Sequence, residues 1–274
     1  MSAVWLDGAL VDDARAVLPV TDHAATLGDG VFETLAVVAG RPFALTRHVA
    51  RLAASAAAVG LPAPDDDVVR GAVAAVLRAA PGTGRVRVTW TAGDGPAGAA
   101  RGPGPGRLLV VGSPPAAGGP VRAWRAPWAR NERSPLAGVK STSYQENVVA
   151  LAAARRHGAD EALLADTRGR LSEGATSNVL VADADGFLTP TLGTGCLPGV
   201  TRALLLEWSD ALPAPVREAD VALDALDGRA LAVTSAVRGV APVVVLDGVP
   251  VLPDERLESL VAAFVARRAD EPDP

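Results

Sequence analysis

"KSTSYQENVVALAAARRHGADEALLADTRGRLSEGATSN", residues 140–178, opens on Lys140, the only lysine in a chain that otherwise carries its positive charge on arginine. A guanidinium stays protonated at any working pH and is never a usable amine, whereas an ε-amine is. The Ala, Gly, Pro and Arg bias of the sequence is that of a GC-rich genome, which replaces lysine generally, so one leftover lysine is weak evidence by itself. Its neighbours decide how it is read. The apolar spacing after it predicts a helix from about Ser143 to His157, then strands at "EALLAD" (161–166) and "SNVLVAD" (177–183). Glu173 falls between those strands in a Gly-containing turn, where an ordinary solvated glutamate is the simplest reading unless the amine gives it chemistry.

Downstream, "GTGCLPGVTRALLLEW" (193–208) is a Gly-rich loop entering a helix predicted from Val200 to about Leu212. Such an entry presents unpaired N–H groups and the positive end of the helix dipole, which suits a phosphate; a plain helix start has the same composition. Strands are expected at "RALAVTSAV" (229–237) and "APVVVLDG" (241–248), and a last helix from about Asp254 to Arg268.

Upstream, "AVWLDGALV" (3–11) is an Asp-Gly hairpin signal and "RPFAL" (41–45) a short strand. Thr46 can cap a helix over "TRHVARLAASAAAVG" (46–60), with Val49, Leu52, Ala53, Ala56 and Val59 on one face and Gly60 as the stop. His48, Arg51 and Ser55 form a stripe beside that face. Arg51 can therefore reach inward to grip a phosphate, or snorkel over the core at the surface. A helix from about Asp67 to Ala80 and strands "RVRVTWTA" and "RLLVVGS" follow, the strands joined by "GDGPAGAARGPGPG" (93–106), which reads as a mobile loop. "GSPPAAGGP" (112–120) is the linker candidate. The expected organisation is an N-terminal domain over 1–112, a linker over 113–120 and a C-terminal domain over 121–274.

Bulk properties narrow the partner class. The chain has 274 residues, one cysteine (Cys196) and a formal net charge of -5, with no basic cluster interleaved with aromatics. No intrachain disulfide is possible, and nothing marks a nucleic-acid surface. His23, His48 and His157 lie far apart with no zinc-like spacing, so no metal is expected. No signal-peptide pattern and no run of 18 apolar residues occurs, which predicts a soluble, cytoplasmic protein with a small-molecule partner.

An amine, a carboxylate, a phosphate-shaped helix end and an arginine are together what pyridoxal 5'-phosphate requires. The motifs "LGDGVFETL" (27–35), "RHVARL" (47–52), "LAGVKSTSYQENVVA" (136–150), "DEALLADTRGRLSEGATSNVL" (160–180), "LPGVTR" (197–202) and "TSAVRGVAPV" (234–243) resemble, in order, those of the class IV (fold type IV) pyridoxal-phosphate enzymes. That family holds branched-chain and D-amino-acid aminotransferases and 4-amino-4-deoxychorismate lyases. The resemblance implies a two-domain α/β (α+β) fold, with a small N-terminal α/β domain, a larger C-terminal domain on a barrel-like sheet, the cofactor between them, and a homodimer. It makes Lys140 the Schiff-base lysine, Glu173 the partner of the pyridine nitrogen and Arg51 a phosphate ligand. Val200 and Thr201 become donors at the phosphate helix, Ser235 and Ala236 the loop on the phosphate's far side, and Leu197 a residue packed on the ring. "GDGVFETL" and "TSAVRGVAPV" are most similar to the lyases, which implies elimination of pyruvate to give 4-aminobenzoate for folate synthesis. Tyr144 is of a kind that transaminases also carry, and a class IV aminotransferase acting on D-amino acids or branched-chain amino acids is the alternative. A lyase substrate with two carboxylates requires cations, for which Arg101 and Arg238 are the candidates, with Tyr144 beside them.

Overall fold

The structure is a computed structural model describing residues 3–12 and 16–274. Its contacts divide the chain into two units. Unit 1 takes residues up to Ala116 together with Val139–Tyr144 and Glu271–Pro274, and unit 2 takes Ala117–Gly138 and Gln145–Asp270. The chain changes unit within the expected linker, but the continuous second domain expected over 121–274 is interrupted twice. The first interruption has a backbone cause: Phe32 N–H donates to Lys140 O at 2.9 Å and Thr142 N–H to Gly30 O at 2.9 Å, so the lysine segment joins the first sheet. The second is the bond from Ala44 N–H to Pro272 O at 2.7 Å.

Unit 1 contains β1 (Val4–Leu6), β2 (Ala9–Val11), α1 (His23–Leu27), β3 (Gly30–Val38), β4 (Arg41–Pro42), α2 (Leu45–Ala58), α3 (Asp66–Ala79), β5 (Arg85–Thr91) and β6 (Arg107–Ser113). Its strands form one antiparallel sheet in the order β2-β1-β6-β5-β3-β4. The Asp7-Gly8 turn has positive φ at both residues, as a two-residue hairpin needs. Strand β3 carries no period-2 alternation because nearly all of its side chains are covered, so the motif that contains it does not read as a strand. Helices α2 and α3 bury Val49, Leu52, Val69 and Val73 against Val31 and Val110 of the sheet. Each such side chain contributes about 1.5–3 kcal/mol.

Helix α2 ends as expected. Gly60 sits at φ +71, its N–H bonded to Ala57 O and that of Leu61 to Ala56 O, a Schellman pattern that β-carbon-bearing residues resist. Its start differs from expectation. The N-cap is Ala44, in the left-handed region with no side-chain bond, and Thr46 lies inside the first turn. The carboxylate of Asp273 caps the helix instead, accepting from Thr46 N–H at 2.9 Å and from the Thr46 hydroxyl at 2.6 Å.

Unit 2 contains β7 (Val121–Arg130), α4 (Gln145–Arg156), β8 (Glu161–Asp166), β9 (Leu171–Gly174), β10 (Asn178–Ala182), β11 (Phe187–Thr189), α5 (Val200–Glu207), β12 (Val216–Glu218), β13 (Leu231–Ser235), β14 (Gly239–Leu246), β15 (Val249–Pro250) and α6 (Glu255–Asp270). The sheet runs β12-β11-β10-β13-β14-β7-β8-β9, with β15 on β14, and mixes parallel pairs (β11–β12, β14–β7, β7–β8) with antiparallel ones. Leu163, Val179, Leu231, Val233 and Val243 form its core. Helix α5 stops at Glu207 and passes into a 3-10 turn over Ser209–Ala211, short of the Leu212 end expected from sequence. Glu173 is not in a turn: it lies on β9, paired with Leu164 of β8, and is buried. Among the described residues no helix is long and apolar enough to cross a membrane.

Candidate active site

In unit 1, the added strand segment delivers the Lys140 ammonium to an aromatic face. Lys140 Nζ stands 4.5 Å from the centroid of Phe32 and 5.9 Å from that of Tyr144, and the two rings meet edge to face at 5.3 Å. The opposite neighbour of Phe32 was not expected from sequence. Arg87 on β5 is the diagonal cross-strand partner of Phe32, and its guanidinium lies 3.8 Å from the ring centroid. Crowding by protein pulls Arg87 below the usual arginine range, partly countered by Tyr144, although its outer surface stays exposed. No carboxylate among the described residues pairs with it. The signal in sequence was an arginine between buried valines in "RVRV", which places a cation on one face of a strand.

Arg51 reaches inward, toward Glu33. Arg51 Nε and Nη2 donate to the two Glu33 oxygens at 2.7 Å each, and His48 Nδ1 lies 2.7 Å from Glu33 Oε2. Burial alone would raise the Glu33 carboxyl, but the Arg51 charge and the bonds from Arg51 and His48 overcome it and bring it to about 2. An ionised carboxylate only accepts, so His48 Nδ1 carries the hydrogen. Burial lowers the His48 pKa against the pull of Glu33, which leaves the ring neutral with its buried Nε2 as a bare acceptor. Sequence reading placed His48 on one stripe with Arg51 and did not single out Glu33. The paired "E" of β3 and "H..R" of α2 become legible only once the helix is laid on the strand.

In unit 2, each oxygen of Glu173 has its own partner. Leu197 N–H donates to Oε2 at 3.0 Å, and Arg130 Nε stands 3.1 Å from Oε1. The loop from Leu197 to Gly199 is pinned by Asn178, whose amide donates to Leu197 O at 2.8 Å. A β-carbon on Gly199 would fall 1.9 Å from Asn178 Oδ1, so this close approach requires glycine. Gly199 is the N-cap of α5 and supplies no side-chain bond, leaving the first-turn N–H groups of Val200, Thr201 and Arg202 without intrahelical acceptors. Thr201 Oγ1 at that end and Thr234 Oγ1 on β13, against which α5 packs, are buried with no hydrogen-bond partner among the described residues.

The structure also sorts the other expected residues. Ser235 ends β13 and Ala236 opens the turn after it, where Ser235 Oγ accepts from Arg238 N–H at 3.2 Å. Arg238, expected to meet a substrate carboxylate, donates to Glu161 Oε2 at 2.9 Å and to Thr176 Oγ1. Arg101 is likewise committed: two of its nitrogens hold Asp29 at 2.7 Å and a third bonds Gly60 O. The 93–106 loop, expected to be mobile, is tied at this arginine and again where Gly95 N–H bonds Thr21 O. Among the described residues no group of three or more His, Cys, Asp or Glu could hold a metal ion.

Comparison with known proteins adds an independent line. Residues 30–246 match the amino-transferase class IV family. A bifunctional aminodeoxychorismate lyase / D-amino acid transaminase of Mycobacterium tuberculosis is 32% identical over 235 residues, 76% of this chain and 78% of that protein. A fold IV-transaminase structure from Curtobacterium pusillum superposes with a TM-score of 0.86 at 31% identity, covering 98% of this chain and 99% of that one. A hypothetical aminotransferase from Mycobacterium tuberculosis, solved in a PLP-bound form, gives 0.85 at 28% identity over 98% and 100%. On the family match across most of its length, with the fold type IV architecture of two sheets, this chain belongs to the class IV aminotransferases.

Proposed function

We propose that this class IV enzyme eliminates pyruvate from 4-amino-4-deoxychorismate, leaving 4-aminobenzoate. The cofactor is pyridoxal 5'-phosphate, with which the mycobacterial relative was solved. The residues fit it: a buried hydroxyl on Thr201 without a partner among the described residues, a helix N-terminus with no side-chain cap, and the single lysine of the sequence. Bound, it supplies an electron sink for the bond broken beside the substrate nitrogen.

The protein's own groups do the rest. Lys140 is the attachment amine and then the base that takes the proton from the carbon bearing the substrate nitrogen. Glu173 holds a proton on the pyridine nitrogen. Thr201 Oγ1 and the Val200 and Thr201 N–H groups bind the phosphate, assisted by Arg51 and the Ser235-Ala236 turn, while Leu197 packs on the ring. Because Arg101 and Arg238 are engaged by Asp29 and Glu161, Arg87 takes over the role of meeting a substrate carboxylate. The observation that carries this reading is the cluster of Lys140, Phe32, Tyr144 and Arg87, an amine and an acid-free guanidinium on one aromatic ring. A homodimer in the cytoplasm completes the proposal.

A transaminase on D-amino acids or branched-chain amino acids stays as the second reading, because the 32%-identical relative is named for both lyase and transaminase activities. One experiment separates them. Given aminodeoxychorismate and no keto acid, a lyase turns over many times with pyruvate and 4-aminobenzoate accumulating, since the nitrogen leaves with the aromatic product. A transaminase stops after one equivalent per site until a keto acid is supplied. A stall, or turnover of D-alanine with 2-oxoglutarate in place of aminodeoxychorismate, overturns the lyase assignment.

A further inference from the structure

The path of β7 contains an irregularity that determines which side chain meets Glu173. Arg125 pairs with Leu163 of β8, but the next partners are Ala129 with Ala165 and Arg130 with Asp166, so β7 spends two more residues than β8 over the same span. Pro127 sits in that bulge, where its missing N–H costs the ladder nothing. Two extra residues preserve the alternation of faces but advance the chain. Regular pairing would have set Trp128 opposite Asp166; the bulge sets Arg130 there and leaves Trp128 exposed. Arg130 then reaches over β8 to the carboxylate on β9.

We propose that Arg130 is a positioning residue for Glu173, delivered by the Pro127 bulge, which sets a positive charge beside that carboxylate and fixes its plane. The inference rests on the proposed pairing of Glu173 with the pyridine nitrogen. The two carboxylate oxygens are contacted from different elements, Arg130 on one side and the Leu197 N–H on the other, so the group cannot swing without losing one of these contacts. Nε and Nη2 of Arg130 are buried yet make no well-directed hydrogen bond, so the arginine acts at Glu173 through charge rather than as a linear donor. A buried guanidinium with idle donors is costly to stability, and its placement is explained by what its charge does for the neighbour.

The test compares R130Q, R130K and E173Q, each reconstituted with pyridoxal 5'-phosphate, by visible absorption, cofactor affinity, kcat and KM. R130Q is expected to shift the visible band of the bound cofactor and lower kcat by about tenfold, with KM changed less than about twofold. R130K is expected to recover most of both. A purely structural arginine would lower the melting temperature without moving the band. If R130Q keeps the wild-type band and kcat while E173Q is inactive, the Arg130 assignment is overturned and the Glu173 reading stands. If E173Q itself turns over normally, the underlying reading fails instead. Should R130Q be insoluble, R130M decides alongside R130K: a shifted band and lowered kcat in R130M with recovery in R130K support the proposal, and a wild-type band and kcat in R130M, or a loss in R130K as deep as that of E173Q, overturns it.

Discussion

In unit 1 the buried carboxylate of Glu33 is met on every side by protein, taking two arms of Arg51 and the Nδ1–H of His48. In unit 2 the buried hydroxyls of Thr201 and Thr234 meet nothing among the described residues, and the helix end beside Thr201 has no side-chain cap. Both arrangements put polar atoms out of water, which is costly unless they are paired. The first pairs the Glu33 carboxylate within the fold and so contributes to stability, with Arg51 held in place for the phosphate role proposed for it. The second leaves donors bare, and bare donors at a helix N-terminus suit an anion that arrives later. The one bare atom of the unit 1 cluster, His48 Nε2, is an acceptor and is unsuited to that task.

The largest consequence concerns Glu33. Removing one member of a buried, fully engaged ion cluster leaves its partners as uncompensated charge, which costs about 3–5 kcal/mol. Glu33→Ala is therefore expected to lose most of the stability of the apo protein in urea unfolding. A loss under about 1 kcal/mol would mean that water reaches Arg51 and that the cluster is not closed.

Acid should expose the same cluster in two stages. Both Glu33 and His48 have folded pKa values below their ordinary ones, so each contributes stability that is present above its unfolded pKa and lost as pH falls. His48 starts to withdraw its share below its ordinary value of 6.5, and Glu33 does so between 4.5 and about 2. The melting temperature of the apo protein should decline from pH 6.5 downward and more steeply below 4.5. In His48→Gln the upper stage should vanish while the lower remains; a variant curve parallel to wild type throughout would remove His48 from the account.

Much of this was visible in the sequence, and what was hidden was hidden for physical reasons. The Gly60 helix stop was legible because glycine chemistry is a local property, and Lys140, Glu173 and Thr201 could be singled out as candidates because lysine uniqueness and motif order are read along the chain. Strand β3 was not, because burial on both faces erases the alternation that announces a strand. Arg130 and Arg87 were invisible because their value lies in partners two strands away or diagonal across a sheet, and a bulge of two residues cannot be counted before the register is known. Thr46 was misread as a cap because the true cap, Asp273, comes from the far end of the chain. Arg101 and Arg238 looked like available cations because sequence does not show that Asp29 and Glu161 already hold them.

Thr201 sharpens the contrast with Glu33, since its removal should act in the opposite direction on the empty protein. Thr201→Val deletes a buried hydroxyl without a partner and keeps the side-chain shape, so the apo protein should be as stable as wild type or up to about 1 kcal/mol more so. The holoenzyme should lose cofactor affinity by roughly ten- to a hundredfold, because a hydrogen bond to a charged group contributes about 1.5–3 kcal/mol. Equilibrium titration with pyridoxal 5'-phosphate, alongside apo melting, reads both signs. Lower apo stability with unchanged affinity would show that the hydroxyl has a structural partner and that the phosphate is held elsewhere.

The smallest effect tests the comparison at the helix ends themselves. The N-terminus of α2 already has an anion: the Asp273 carboxylate accepts from the N–H and hydroxyl of Thr46, while the N-terminus of α5 has only Gly199. If a capped end is structural, Asp273→Ala should cost the ordinary price of a lost cap, about 1 kcal/mol, seen as a melting shift of about 2–4 °C with cofactor affinity little changed. A new cap at Ala44 should not rescue it, because that residue is in the left-handed region and not on the extended backbone from which N-cap side chains reach the first turn. The double variant Ala44→Asp, Asp273→Ala should therefore melt with or below the single one. Recovery of wild-type stability by that pair would show that the α2 end accepts any nearby carboxylate, and the distinction between a closed end in unit 1 and an open one in unit 2 would then rest on composition alone.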